Sequence, residues 1–115
     1  MDKILILEEQ KEELENLKNL VRMHEFEPIT ASSGKEGLDQ YLVDNNINAR
    51  MILVPYKLPD MTGAQFAEKI RCYSTNVPII GVTSQKFAHV TDCISRIELY
   101  MGGLQKCINK YIKKS

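Results

Sequence analysis

The sequence predicts an α/β protein built on a parallel sheet with helices on both faces. Three observations carry that expectation. Short apolar runs without polar alternation recur at Lys3–Leu7, Met51–Val54 and Val77–Val82, as strands buried on both sides require. Segments with helical spacing of apolar residues stand between them. The chain has 115 residues, long enough for one real core, so residues 1–115 are expected to form a single domain.

The elements follow in order. Lys3–Leu7 is a central-strand candidate and ends in Glu8-Glu9. Leu14, Leu17, Leu20 and Val21 mark an amphipathic helix from Gln10 to about His24, with Glu12, Glu13 and Glu15 early, where the helix dipole favours acids. Phe26–Ser32 is a weaker strand, and Pro28 suits an edge. After the Ser33-Gly34 break, Lys35–Val43 reads as a short helix with Leu38, Tyr41 and Leu42 inward, closed by the turn residues Asp44-Asn45-Asn46. The strand at Met51 runs into the turn Leu58–Gly63. Ala64–Cys72 is a helix carrying Phe66, Ala67 and Ile70 on one face, and Val77–Val82 is a buried strand. Gln85–Val90 supports at most two helical turns. Asp92–Arg96 reads as a short strand, and Gly102-Gly103 as a loop. Leu104–Lys114 is a helix with Leu104, Cys107, Ile108, Tyr111 and Ile112 on its apolar side. This β-α alternation argues a parallel sheet covered on both faces.

Composition excludes several classes. Lys plus Arg equals Asp plus Glu at 15 each. No global basic field exists to hold nucleic acid or an anionic membrane. The terminal run Lys106, Lys110, Lys113 and Lys114 reads as a solvated last helix favoured by its own dipole. Cys72, Cys93 and Cys107 show no metal-ligand or Cys-x-x-Cys spacing and read as reduced, mostly apolar fillers. No signal peptide or transmembrane-length apolar run is visible, and a cytoplasmic protein is expected.

In a doubly wound sheet, sites are built where strands run into loops at their carboxyl ends. That rim should carry Glu8 and Glu9, Pro55, and Thr83 with Ser84. Four segments then make a specific likeness: Lys-Ile-Leu-Ile-Leu-Glu-Glu from Lys3, Thr-Ala-Ser-Ser-Gly-Lys-Glu-Gly-Leu from Thr30, Leu-Pro-Asp-Met-Thr-Gly from Leu58, and Val-Pro-Ile-Ile-Gly-Val-Thr-Ser from Val77. In this order and spacing they resemble the CheY-like receiver domains of two-component response regulators. The resemblance implies a flavodoxin-like, five-stranded sheet of order 2-1-3-4-5. The shortness of the chain between Thr83 and Arg96 implies a shortened or missing fourth helix.

Carried over residue by residue, the resemblance implies the following. Glu8 and Glu9 take the metal-binding acid pair, each one methylene longer than the usual Asp. Pro55 takes the phosphorylated position, where a proline ring offers no carboxylate nucleophile. Thr83 takes the hydroxyl position that contacts phosphate. Arg96 replaces the lysine, a planar fork in place of a point charge, although counting back from the last helix shifts this alignment by one residue. Cys93 replaces the switch aromatic. No metal is expected, with a weak Mg²⁺ site at Glu8 and Glu9 left open. Lys57 and Arg96 are candidates to relieve the repulsion between the two acids through an internal salt bridge.

Plainer readings stand beside these. Thr83 can satisfy nearby backbone, Asp60 can be a turn-forming residue, and His24, His89 and Tyr56 can be packing residues. The expected function is a degenerate, non-phosphorylatable receiver, not an enzyme and without a cofactor. It would act in a two-component-type, chiefly bacterial pathway through protein partners: a kinase, an output domain or another signalling protein. Gln85–Gly103, with Tyr100-Met101, is the expected contact surface, and a homodimer stays open. Two alternatives remain: a phosphorelay receiver accepting phosphate on Asp60, and a flavodoxin-like binder of a small ligand.

Overall fold

The computed structural model describes residues 1–42 and 48–112. It contains β1 (Lys3–Leu7), α1 (Lys11–Met23), β2 (Glu27–Ala31), α2 (Gly34–Leu42), β3 (Ala49–Val54), α3 (Gly63–Arg71), β4 (Ile79–Val82) and β5 (Asp92–Ile94). A one-turn helix α4 (Arg96–Glu98), a wide turn (Leu99–Gly103) and α5 (Leu104–Tyr111) follow. The five strands form one sheet in the order β2-β1-β3-β4-β5, and all pairings are parallel. This is the expected doubly wound architecture, with Pro28 on an edge strand. The Asp44-Asn45-Asn46 turn and Lys113-Lys114 lie outside the described residues.

The apolar strands divide their side chains by the two-residue period of a pleated sheet. Ile4 and Ile6 of β1, Met51 and Leu53 of β3, and Ile80 of β4 face α1 and α5, where Leu17, Leu20, Val21, Leu104 and Ile108 meet them. Leu5 and Leu7, Ile52 and Val54, and Ile79 face the other way, against Phe66, Ala67 and Ile70 of α3. Two cores on opposite faces explain why the runs lack polar alternation. No buried side-chain polar atom among the described residues lacks a partner.

Three elements differ from expectation. Residues 85–90 form no helix. Thr83 Oγ1 accepts from the Gln85 N–H at 3.1 Å, His89 adopts φ 72°, and the His89 carbonyl accepts from Arg71 Nε at 3.0 Å. Each diverts a backbone group from a helical ladder. The outcome is a missing, not a shortened, helix between β4 and β5. In its place Phe87 and Val90 pack on the α3 side of the sheet. The last strand stops at Ile94, because Ser95 caps α4 by accepting from the Glu98 N–H at 3.2 Å. Arg96 is therefore the first residue of a helical turn rather than the end of a strand. The last helix ends at Tyr111. Of the cysteines only Cys107 is a buried filler; Cys93 is half-buried and Cys72 is exposed at the end of α3.

Candidate functional site

The carboxyl ends of β1, β3 and β4 place the expected residues on one rim. Glu8 leaves β1 half-buried; its backbone N–H donates to Ala31 O at 3.0 Å, and its carboxylate Oε2 accepts from the Gln10 N–H at 3.0 Å. Glu9 points to solvent. Pro55 follows β3 with its side chain half-buried. Its carbonyl oxygen lies so close to Gly63 that a Cβ there would collide with it, which is why α3 must start on glycine. The Gly63 N–H donates to Tyr56 O at 2.9 Å, and the Leu58 N–H to Met61 O at 2.9 Å. Lys57 and Thr62 form an isolated antiparallel bridge across the base of this loop.

Local chemistry then starts α3. Thr62 Oγ1 accepts from the Gln65 N–H at 3.1 Å, while the Thr62 N–H donates to Gln65 Oε1 at 2.8 Å, a reciprocal capping box. Asp60 does something the sequence did not suggest. Its Oδ1 accepts from the Gly34 N–H at 2.8 Å and its Oδ2 from the Lys35 N–H at 2.9 Å. Both carboxylate oxygens thus cap α2, a helix that begins 26 residues earlier. The Lys35 and Gly34 amides hold this carboxyl below its ordinary value, as donors to an anion must.

Thr83 sits half-buried at the end of β4, with its hydroxyl taken up by the Gln85 amide. Cys93 lies on β5, its Sγ 3.0 Å from where a Gly81 Cβ would be. An aromatic ring does reach this region, but from the β4–β5 connection. The edge of Phe87 lies against Gly81 and Gly63 and meets Tyr56 at a 5.8 Å centroid distance and 76°. The ring therefore closes the rim beside Pro55. No periodic signal marks Phe87, since its seat joins Gly81 to Gly63, which lies 24 residues before it.

Arg96 turns away from Glu8 and Glu9. Its Nε pairs with Glu13 Oε1 at 3.1 Å, and the Tyr100 hydroxyl donates to the same oxygen at 3.1 Å. No ion pair joins Lys57 or Arg96 to the acid pair among the described residues, which corrects the expected internal salt bridge. The reason is placement: α4 starts Arg96 beside the first turn of α1, where Glu13 is. Burial, and then the Glu13 carboxylate, push the Tyr100 hydroxyl up to about 12. The pairing of Glu13 with Tyr100 carried no sequence signal, because the two meet only across 87 residues.

As a metal centre the rim does not fit. Among the described residues no three His, Cys, Asp or Glu side chains converge on one point. Proline at the end of β3 leaves Glu8 and Glu9 without a third carboxylate between them and Thr83. Mg²⁺ is held by one or two carboxylates together with phosphate oxygens; here Glu9 points to solvent and Glu8 already accepts from the Gln10 N–H.

Comparison with known proteins agrees with this geometry. The response regulator receiver domain family matches residues 4–115. Among solved structures, a receiver domain from Clostridium thermocellum is 21% identical, with a TM-score of 0.83, covering 97% of this chain and 94% of that one. A CheY-like receiver from Methanospirillum hungatei is 22% identical, with a TM-score of 0.82 and coverage of 96% and 94%. The response regulator TrrA of Thermotoga maritima, solved with Mg²⁺ and BeF, is 19% identical, with a TM-score of 0.83 and coverage of 97% and 100%. These likenesses show the shared fold. No curated protein matches the chain. The match over nearly the whole length places the chain in the response regulator receiver domain family. No helix among the described residues is long and apolar enough to cross a membrane.

Proposed function

We propose that this receiver domain is not phosphorylated at the end of β3 and acts as a constitutive protein-interaction module, residues 1–115 working as one unit in the cytoplasm. The observation that carries this reading is Pro55, which stands where the rim needs a carboxylate nucleophile. The surroundings support it. Asp60, the nearest acid in the loop, has both oxygens committed to the α2 amides. The Thr83 hydroxyl is satisfied locally, and Phe87 packs beside the vacant position.

An interaction surface of the right kind lies on the far side of β5. Ile97 and Met101 are 71% and 79% exposed, and methionine is among the residues enriched at interfaces. Ile94, Ile97, Glu98, Met101, Gly103 and Lys106 line a furrow of about 170 Å³ there. TrrA has been solved in complex with the histidine kinase ThkA; a kinase or another two-component signalling protein is the partner class proposed for this chain.

The test is direct. After incubation with acetyl phosphate or phosphoramidate and Mg²⁺, the intact mass should be unchanged. A stoichiometric, hydroxylamine-labile gain of one phosphate would overturn the proposal and bring back a non-standard acceptor such as Asp60.

A further inference from the structure

A single-turn helix such as α4 cannot hold itself in water, because helix nucleation costs more than one turn returns. Yet α4 and the turn after it carry the most exposed apolar side chains near β5. What orients them is a question for the contacts around the turn.

Those contacts are unevenly distributed. Helical spacing puts Arg96 and Tyr100 on one side, four residues apart, and Ile97 and Met101 on the next. The first pair converges on α1, where Glu13 Oε1 forms an ion pair with Arg96 Nε and accepts from the Tyr100 hydroxyl, each at 3.1 Å. The second pair faces solvent. Leu99, fully buried between them, roots the turn in the α1–α5 core. Gly102, at φ 99°, reverses the chain into α5, a backbone angle that favours glycine. Leu99 and the buried Gly103 anchor the turn at its two ends and leave the direction of the exposed side chains between them to other contacts. The Glu13 cluster supplies them.

The Glu13 pair also differs in kind from the other ion pairs. The Glu13 side chain is only 15% exposed, whereas Glu15, Asp39 and Asp2, in the pairs with Lys18, Lys35 and Arg50, are 61%, 62% and 58% exposed. Solvent screens those three and leaves them weak; it screens Glu13 much less.

We propose that Glu13 is the positioning residue of the interaction surface: through Arg96 and Tyr100 it latches the α4 turn to α1 and sets the direction in which Ile97 and Met101 are presented. The use of this latch rests on the interaction-module reading, but the latch itself is a conformational property measurable without a partner. The elevated Tyr100 hydroxyl remains protonated, and so remains a donor to Glu13, at any physiological pH.

Two mild substitutions test it. Glu13→Gln keeps the shape and an acceptor oxygen but removes the charge. Tyr100→Phe removes only the hydroxyl. Amide hydrogen exchange followed by NMR, with β1 and β3 amides as internal reference, should show residues 97–103 exchanging about tenfold faster in each variant, the effect expected from losing one charge-assisted hydrogen bond. Sheet amides should be unchanged. In Glu13→Gln the Tyr100 hydroxyl should titrate below its wild-type value of about 12. Unchanged exchange at 97–103 in both variants would overturn the proposal. So would an equal acceleration across turn and sheet, which would make Glu13 a general stabiliser rather than a latch. Neither result bears on the phosphorylation assay, so the two proposals fail separately.

Discussion

Two loops of this domain leave neighbouring strands on the same rim and solve the same problem in different ways. The loop 55–62 runs from β3 into α3 by local means. Thr62 and Gln65 cap each other's backbone, and Gly63 lets the helix begin against the Pro55 carbonyl. The connection 83–91 runs from β4 to β5 without a helix and borrows its order from elsewhere. Arg71, at the end of α3, donates to the carbonyls of His89, Ser74 and Val77 and to the Thr91 hydroxyl. That hydroxyl in turn accepts from the Ile79 N–H at 3.0 Å. Among the described residues the guanidinium meets no acid; it reads backbone oxygens, and burial holds its pKa down. A loop stabilised by its neighbours in sequence is robust to distant change, and one held by a single distant cation is not.

That contrast can be broken first at Arg71. Arg71→Ala should cost about 2–3 kcal/mol in chemical denaturation, since the part-buried Ser74 and Val77 carbonyls and the exposed His89 carbonyl lose a charged donor together. Arg71→Lys should recover less than half, because an ammonium cannot span the same fork of acceptors. If Arg71→Ala proves neutral, the loop is held by Phe87 and Val90 alone. The local loop should respond more weakly. Thr62→Ala removes one cap and should cost about 1 kcal/mol by the same measurement.

The smallest effect belongs to Asp60, whose cap is local to neither loop. Its carboxyl is depressed in the folded state by the Lys35 and Gly34 amides. A depressed carboxyl stabilises the fold above the unfolded value, and that contribution is lost as pH falls through the folded value. Asp60→Asn should therefore lower stability near neutral pH by roughly a few tenths of a kcal/mol after solvent screening. The gap between variant and parent should close as the pH is lowered into the acid range. A gap that persists at low pH would show that the amide, not the charge, sets the cap.

Most of the first three-quarters of the sheet was legible because its signals are local. Unbroken apolar runs, helical spacing in Leu14–Val21 and the turn chemistry of Leu58–Gly63 each report on their own segment. The likeness of four such segments to receiver domains supplied the strand order. Past Thr83 the reading weakened, and the structure departs from it there. Residues 85–90 offer at most two helical turns, too few to stand alone, and Arg71 and the Phe87 seat take up their backbone and side chains. Arg96 was expected to face the acid pair and instead joins Glu13, since its direction depends on where Ser95 starts α4.

The sequence by itself determined that the chain folds as a parallel α/β sheet, and that proline stands at the end of β3. Both follow from residue identity and from periods of two and 3.6 residues. Only the tertiary structure decided what Asp60, Arg71, Phe87 and Glu13 do. Each acts on a partner far away along the chain, and hydrogen-bond geometry and close packing between such partners exist only once the sheet has brought them together.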